Sequence, residues 1–219
     1  MSKAIMMCRT VKVITCLLVA ILPSASVSAD EAKDKLDRFV LDLASMRAGF
    51  VQTVIDANGT IVDKSEGTMS MLRPGRFRWD YILPYEQHII TNGKRLWIYE
   101  PDLDQVTIKP YEAGVGETPA LLLSGDSSVF ERFTVSELEI ADSDYEWLLL
   151  KPLDQESGYE SIQMGFDENG FKVVRFSDDF GHHTQLEFID IEANVTLAED
   201  EFEFQEPEGI EIISGPGQF

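Results

Sequence analysis

The period of the apolar residues changes at Gly49, and few folds accommodate that change. Before it, Leu36, Phe39, Val40, Leu43 and Met46 recur at helical spacing with Lys33, Asp34, Lys35, Asp37 and Asp42 between them, which predicts an amphipathic helix over residues 30–46. After it the period is two, over segments near 48–55, 60–72, 76–82, 86–91, 94–99, 103–109, 133–140, 145–151, 160–166, 171–177 and 184–192. The tripeptides A-N-G at 57–59, T-N-G at 91–93 and E-N-G at 168–170 are hairpin signals. An antiparallel meander of about eleven strands follows. Two short helices interrupt it, T-P-A-L-L-L-S at 118–124, capped by Thr118 with Pro119 at its first position, and S-S-V-F-E-R-F at 127–133. A mainly β chain with so large a sheet and so few helices curls into a sandwich, a barrel or an open half-barrel.

The N-terminus stands apart from this pattern. Lys3, Arg9 and Lys12 precede an unbroken apolar run from Val13 to Leu22 and then P-S-A-S-V-S-A, the make-up of a secretory signal peptide with its cut between Ala29 and Asp30. The run is too short for a stop-transfer helix. Cys16 follows Thr15 where a lipoprotein anchor needs a small residue, so lipidation is not expected. Both cysteines, Cys8 and Cys16, fall within residues 1–29, leaving residues 30–219 without disulfide or thiolate chemistry and expected to form a single domain held by its core.

Charge excludes one class of partner. The whole chain carries a net charge of −21, and loss of the leader, with its three basic and no acidic residues, takes it to −24. Nucleic acid is disfavoured by such a balance. The stretch R-P-G-R-F-R-W-D-Y at 73–81 interleaves arginines with rings, but strand alternation separates them. Phe77, Trp79, Tyr81 and Leu83 point one way, Arg76, Arg78, Asp80 and Ile82 the other, after a Pro74-Gly75 turn suited to type II geometry. Likewise Tyr145, Trp147 and Leu149 oppose Glu146, Leu148 and Leu150, and Phe171 and Val173 oppose Val174 and Phe176. Such faces suit an apolar container closed by helices; periodicity alone favours the plainer reading of a packed core.

Catalytic signatures are sparse. Asp179, His182 and His183 could be imagined as a metal-dependent hydrolase site, but adjacent histidines on a strand face opposite ways and a solvated turn is the better reading. D-A-N-G-T at 56–60 and D-E-N-G-F at 167–171 lack the later glutamate of a calcium loop, and no nucleophile elbow or phosphate-binding loop is present. Neither an enzyme nor a bound cofactor or metal is expected.

Four segments in order, G-F-V-Q-T at 49–53, R-P-G-R-F-R-W-D-Y at 73–81 followed by P-Y-E-Q, N-G-K-R-L-W-I-Y-E-P-D-L-D-Q-V at 92–106 and T-P-A-L-L-L at 118–123, resemble the LolA family of periplasmic lipoprotein carriers. The resemblance runs over nearly the whole mature chain. It implies an incomplete antiparallel β-barrel whose hydrophobic cavity, under a helical lid, holds the acyl chains of a lipoprotein. It further implies a monomer in the periplasm that receives acylated lipoproteins from an inner-membrane ABC transporter and delivers them to an outer-membrane receptor. By position, Arg73 matches the arginine that hydrogen-bonds the lid, and Phe77 a phenylalanine near the mouth. Pro119 to Leu123 match lid helices, beside which the helix carrying Leu36, Phe39, Val40 and Leu43 would lie. Phe50, Trp79, Tyr81, Trp97, Leu121 and Leu122 complete the expected cargo-binding surface. Within the same superfamily, an outer-membrane lipoprotein receptor or a lipoprotein sensor is the alternative function.

Overall fold

The computed structural model describes residues 27–111, 130–154, 159–178 and 180–214. The chain runs through α1 (Val27–Asp42), β1 (Ser45–Ile55), β2 (Ile61–Leu72), β3 (Arg76–Leu83), β4 (Gln87–Asn92), β5 (Arg95–Glu100), β6 (Gln105–Pro110), β7 (Phe133–Leu138), β8 (Glu146–Pro152), β9 (Ser161–Asp167), β10 (Gly170–Ser177), β11 (His183–Ala193) and β12 (Glu211–Ser214). Single 3-10 turns occupy Pro101–Leu103 and Glu199–Phe202. The strands form one sheet in the order β12-β6-β5-β4-β3-β2-β1-β11-β10-β9-β8-β7. Its edges, β12 and β7, do not pair with each other, so the sheet is open. Residues of β2 to β5 and of β8 to β11 meet the inner side of α1 in one apolar cluster, so the sheet curves around the helix.

Each of the eleven expected strands is present, with ends moved by three residues or fewer. The helix differs more. It spans Val27–Asp42, and Met46 belongs to β1, opposite Met71 and Ala193. The break is built by a distant residue: Asn194 Oδ1 accepts from the Ala44 amide at 2.8 Å, and Asn194 Nδ2 donates to the Asp42 carbonyl at 2.8 Å. Both groups are orphaned where a helix ends. Residues 118–124 lie outside the described residues; of the helix expected at 127–133, Phe130 is helical, Glu131 and Arg132 form a turn, and Phe133 instead opens β7.

Two further differences come from geometry that alternation cannot reveal. A bulge between Phe171 and Val173 turns Phe171 to the same side as Val174 and Phe176, whereas strict alternation would oppose them. A twelfth strand, β12, pairs parallel to β6 through Glu211↔Gln105 to Ser214↔Ile108. It returns the C-terminal segment to the outer face of the sheet. There Ile90, Trp97, Val106 and Ile108 form a second, smaller core with Tyr99, Phe204 and Ile210 against it.

The hairpin turn expected at 91–93 and the turn at 73–75 pack together. Gly75 (φ +72°) and Gly93 (φ +86°) are both left-handed, and a Cβ on Gly75 would meet the Cα of Gly93 at 3.3 Å. Gly75 thus has the conformation that the proposed turn asks of its third position; the Arg73–Pro74 bond is cis.

Candidate functional site

The inner face of the sheet is a chain of touching rings. On β3, Phe77, Trp79 and Tyr81 share that face, with centroid spacings of 5.5 Å and 6.2 Å along it. Phe50 of β1 lies 4.1 Å from Trp79 and 5.2 Å from Tyr81. It fits because its opposite number on β2 is Gly67, where a Cβ would stand 2.8 Å from the Phe50 ring. The chain continues from Trp79 to Phe188 of β11 (6.1 Å), to Phe171 (5.2 Å) and to Phe39 of α1 (5.0 Å). Met46, Met69, Met71 and Met164 fill the intervals. Unbranched thioethers repack at low cost, so this interior adapts its shape more readily than one lined by branched side chains.

Leu36, Phe39 and Val40 of α1, with Leu43 just past its end, face these rings. One end of that helix is held by Arg73. Its Nη1 donates to the Val40 carbonyl at 2.6 Å and to the Leu43 carbonyl at 3.1 Å, and its guanidinium lies 5.4 Å from the Phe39 ring centre. The last turn of α1 has no basic residue of its own, so a cation from the β2–β3 turn meets the negative end of the helix dipole. Burial lowers the Arg73 pKa to about 10, which leaves it charged at neutral pH.

At the other end of β3 the rings meet a groove of about 540 Å³ lined by Gln52, Asp63, Ser65, Tyr81, Leu83, Tyr85 and Leu103, among others. The Tyr81 hydroxyl donates to Gln52 Oε1 at 3.0 Å, and burial pushes its pKa up to about 12. The rim is both apolar and acidic: Leu83, Tyr85 and Leu103 are exposed, and Glu86, Glu100 and Asp102 also line the groove.

Phe50, Phe77, Trp79 and Tyr81 are therefore brought together, and Leu36, Phe39, Val40 and Leu43 close over the same interior. Trp97 is not among them. Leu96 takes the inner position on β5, and Trp97 faces outward into the second core beside Phe204. The alternation that places Trp79 inside places Trp97 outside, once the register of β4 with β5 (Ile90↔Trp97) is known. Pro119, Leu121 and Leu122 lie outside the described residues. Two rings that the sequence reading did not name, Phe166 and Phe188, line the same interior, and Phe171, read there only as one face of a strand, joins them. Alternation of Leu186 with Phe188 on β11 was legible, but nothing local says which face turns inward.

The two histidines weighed as metal ligands have separate local roles. His182 Nδ1 lies 3.0 Å from Asp178 Oδ2, whose other oxygen accepts the His182 amide at 2.8 Å, while His183 Nδ1 lies 2.9 Å from Ser177 Oγ. The two rings thus have separate partners, and Asp179 lies outside the described residues. Among the described residues no three His, Cys, Asp or Glu side chains are grouped to hold a metal, and no helix is long and apolar enough to cross a membrane.

The comparisons with known proteins agree with this architecture. The family model "Outer membrane lipoprotein carrier protein LolA" matches residues 42–205. A protein of Nitrosomonas europaea named outer-membrane lipoprotein carrier protein is 38% identical over 198 residues, covering 90% of this chain and 95% of its own. One of the same name from Methylobacillus flagellatus is 35% identical over 197 residues, with the same shares covered. The crystal structure of an uncharacterized conserved protein from Thermus thermophilus aligns with a TM-score of 0.56 at 14% identity, over 84% of this chain and 99% of that one, a likeness of fold. With a family match that spans the sheet from β1 to β11 and relatives that align over nearly their full lengths, the chain belongs to the LolA family.

Proposed function

We propose that this protein is a periplasmic carrier that takes up the acyl chains of lipoproteins in the space α1 now fills, and releases them without chemical conversion. The observation that carries the reading is the arrangement of α1: an apolar helix face buried against a wall of rings, fastened at one end by Arg73. Such a helix stands where a lipid would lie.

Magnitudes support the exchange. Each methylene taken out of water is worth about 0.8 kcal/mol, so ten come to roughly 8 kcal/mol and a lipidated protein stays in its membrane unless an apolar interior replaces the bilayer. Hydrogen bonds to a charged group contribute about 1.5–3 kcal/mol each. Acyl burial therefore outweighs the latch, and cargo binding can displace the lid without a nucleotide. On this reading the open sheet is an incomplete barrel, α1 and residues 118–124 are its lid, and the chain works as a monomer after cleavage between Ala29 and Asp30. An inner-membrane ABC transporter loads it and an outer-membrane receptor of higher affinity empties it.

Membrane vesicles containing the transporter and a radiolabelled lipoprotein test the proposal. On addition of ATP and the purified mature chain, labelled lipoprotein should appear in the supernatant as a complex with the carrier. Lipoprotein that stays in the vesicle pellet would refute it.

A further inference from the structure

Among the described residues, the interior holds one side-chain polar atom that its packing leaves unused. Trp79 is fully buried, and among the described residues its Nε1 has no hydrogen-bond partner. It is near enough to the Tyr81 hydroxyl to favour that group's ionised form, but not in hydrogen-bond geometry. Trp147, on the outer face, shows the ordinary solution: its Nε1 donates to Ser143 Oγ at 2.7 Å. A buried donor without an acceptor is costly and uncommon. Trp79 keeps one at the centre of the ring chain, on the strand face that runs into the Tyr81 groove.

We propose that Trp79 Nε1–H, with the Tyr81–Gln52 pair beside it, is a binding subsite for the ester or amide carbonyl at the head of an acyl chain. The inference rests on the carrier reading and adds to it the place where the polar head of the lipid is read. Hydrocarbon tails offer no hydrogen bonds, and the atoms an acylated ligand must bring into an apolar interior are its carbonyl oxygens, which only accept. Trp79 supplies a donor that only donates. Tyr81 and Gln52 are amphoteric by comparison: the hydroxyl now donates to Gln52 Oε1 and can turn to a ligand carbonyl. Their position orders the lipid. With its head at Tyr81 and the groove, a chain runs past Trp79 toward Phe77 and Phe188, and the polar remainder leaves through the groove by Gln52 and Ser65.

Two lipids with equal chains separate the idea from simple hydrophobic uptake: dioctanoylglycerol, with two ester carbonyls, and 1,2-di-O-octylglycerol, with ether oxygens in their place. Affinity is read by titration of the mature protein, and the indole N–H signals of its three tryptophans by ¹⁵N-resolved NMR. The ester should bind roughly five-fold more tightly, as one net hydrogen bond implies. It should move the Trp79 indole signal downfield, while the ether leaves that signal near its free position. In Trp79→Phe the two lipids should bind alike. If the wild-type chain binds both equally, or the Trp79 signal does not respond to the ester, the subsite is wrong while the carrier reading stands. If neither lipid binds, both fail. Should Trp79→Phe not fold, the two wild-type readouts still decide, the signal being assigned through its contacts with Phe50 and Phe188.

Discussion

At the scale of single residues, Arg73 shows how one charge holds the end of a helix. It is buried enough for its pKa to fall to about 10, and its guanidinium spans the last turn of α1 and the face of Phe39. Arg73→Leu removes two charge-assisted bonds and the ring contact, so α1 should dock about 3–6 kcal/mol less tightly. Hydrogen exchange at amides 36–43 should quicken accordingly, with protection of β1 unchanged; unaltered exchange in α1 would deny Arg73 this role. Tyr81 makes a prediction in pH. Its folded pKa of about 12 stands above the ordinary 10, so between these values the unfolded chain has lost a proton that the native chain keeps. Its contribution to stability is complete below pH 10 and disappears as pH rises through 12, about 1–2 kcal/mol once partial exposure is discounted. Tyr159, also raised to about 12 by burial, acts in the same direction, whereas the lowered Arg73 acts in the opposite one. Urea titrations at pH 8 and pH 11.5 should show a smaller loss for Tyr81→Phe than for the wild type. An equal loss would mean that the hydroxyl is not shielded.

At the scale of elements, what was legible in the sequence depended on whether its signal is local. Strands β1 to β11 announce themselves through a period of two and Asn-Gly turns, because those signals lie within the segment that folds. The end of α1 does not, since Asn194, some 150 residues away in sequence, ties Ala44 and Asp42. Nor does the bulge at Phe171, which a partner strand imposes, nor β12, four residues whose pairing exists only once β6 is in place. The site follows the same division: Phe77, Trp79 and Tyr81 are fixed by one strand, but Trp97 required knowledge of which face of β5 turns inward. The C-terminal return also divides the labour of the two cores. Phe202 is fully buried over the outside of the sheet, flanked by Arg47–Glu201 at 2.8 Å and Arg76–Glu199 at 3.4 Å. Phe202→Ala should cost about 3–5 kcal/mol of global stability in urea titration. At a temperature where the variant remains folded, its uptake of lipid should match that of the wild type. A selective loss of uptake would mean that the outer core shapes the inner one.

At the scale of the whole molecule, acidity and an apolar rim must be read together. One end of the sheet exposes Ile61, Val62, Ile82, Leu83, Tyr85 and Leu103, a patch of the kind that promotes association. The chain carries a net charge of −21, and the same end holds Asp63, Glu86, Glu100 and Asp102. Like charges on two copies repel over about 30 Å at 0.01 M salt but only about 3 Å at 1 M. Repulsion can therefore keep open an apolar rim that a partner of opposite charge would still reach, a division between self and partner made by charge alone. Sedimentation velocity should find a monomer at 0.01 M sodium chloride and a rising weight-average mass at 1 M as the field is screened. Tyr85→Ser with Leu103→Ser should abolish the rise without altering the monomer. A monomer at both salt concentrations would show that the rim resists self-association by shape, and that the acidity serves some other end.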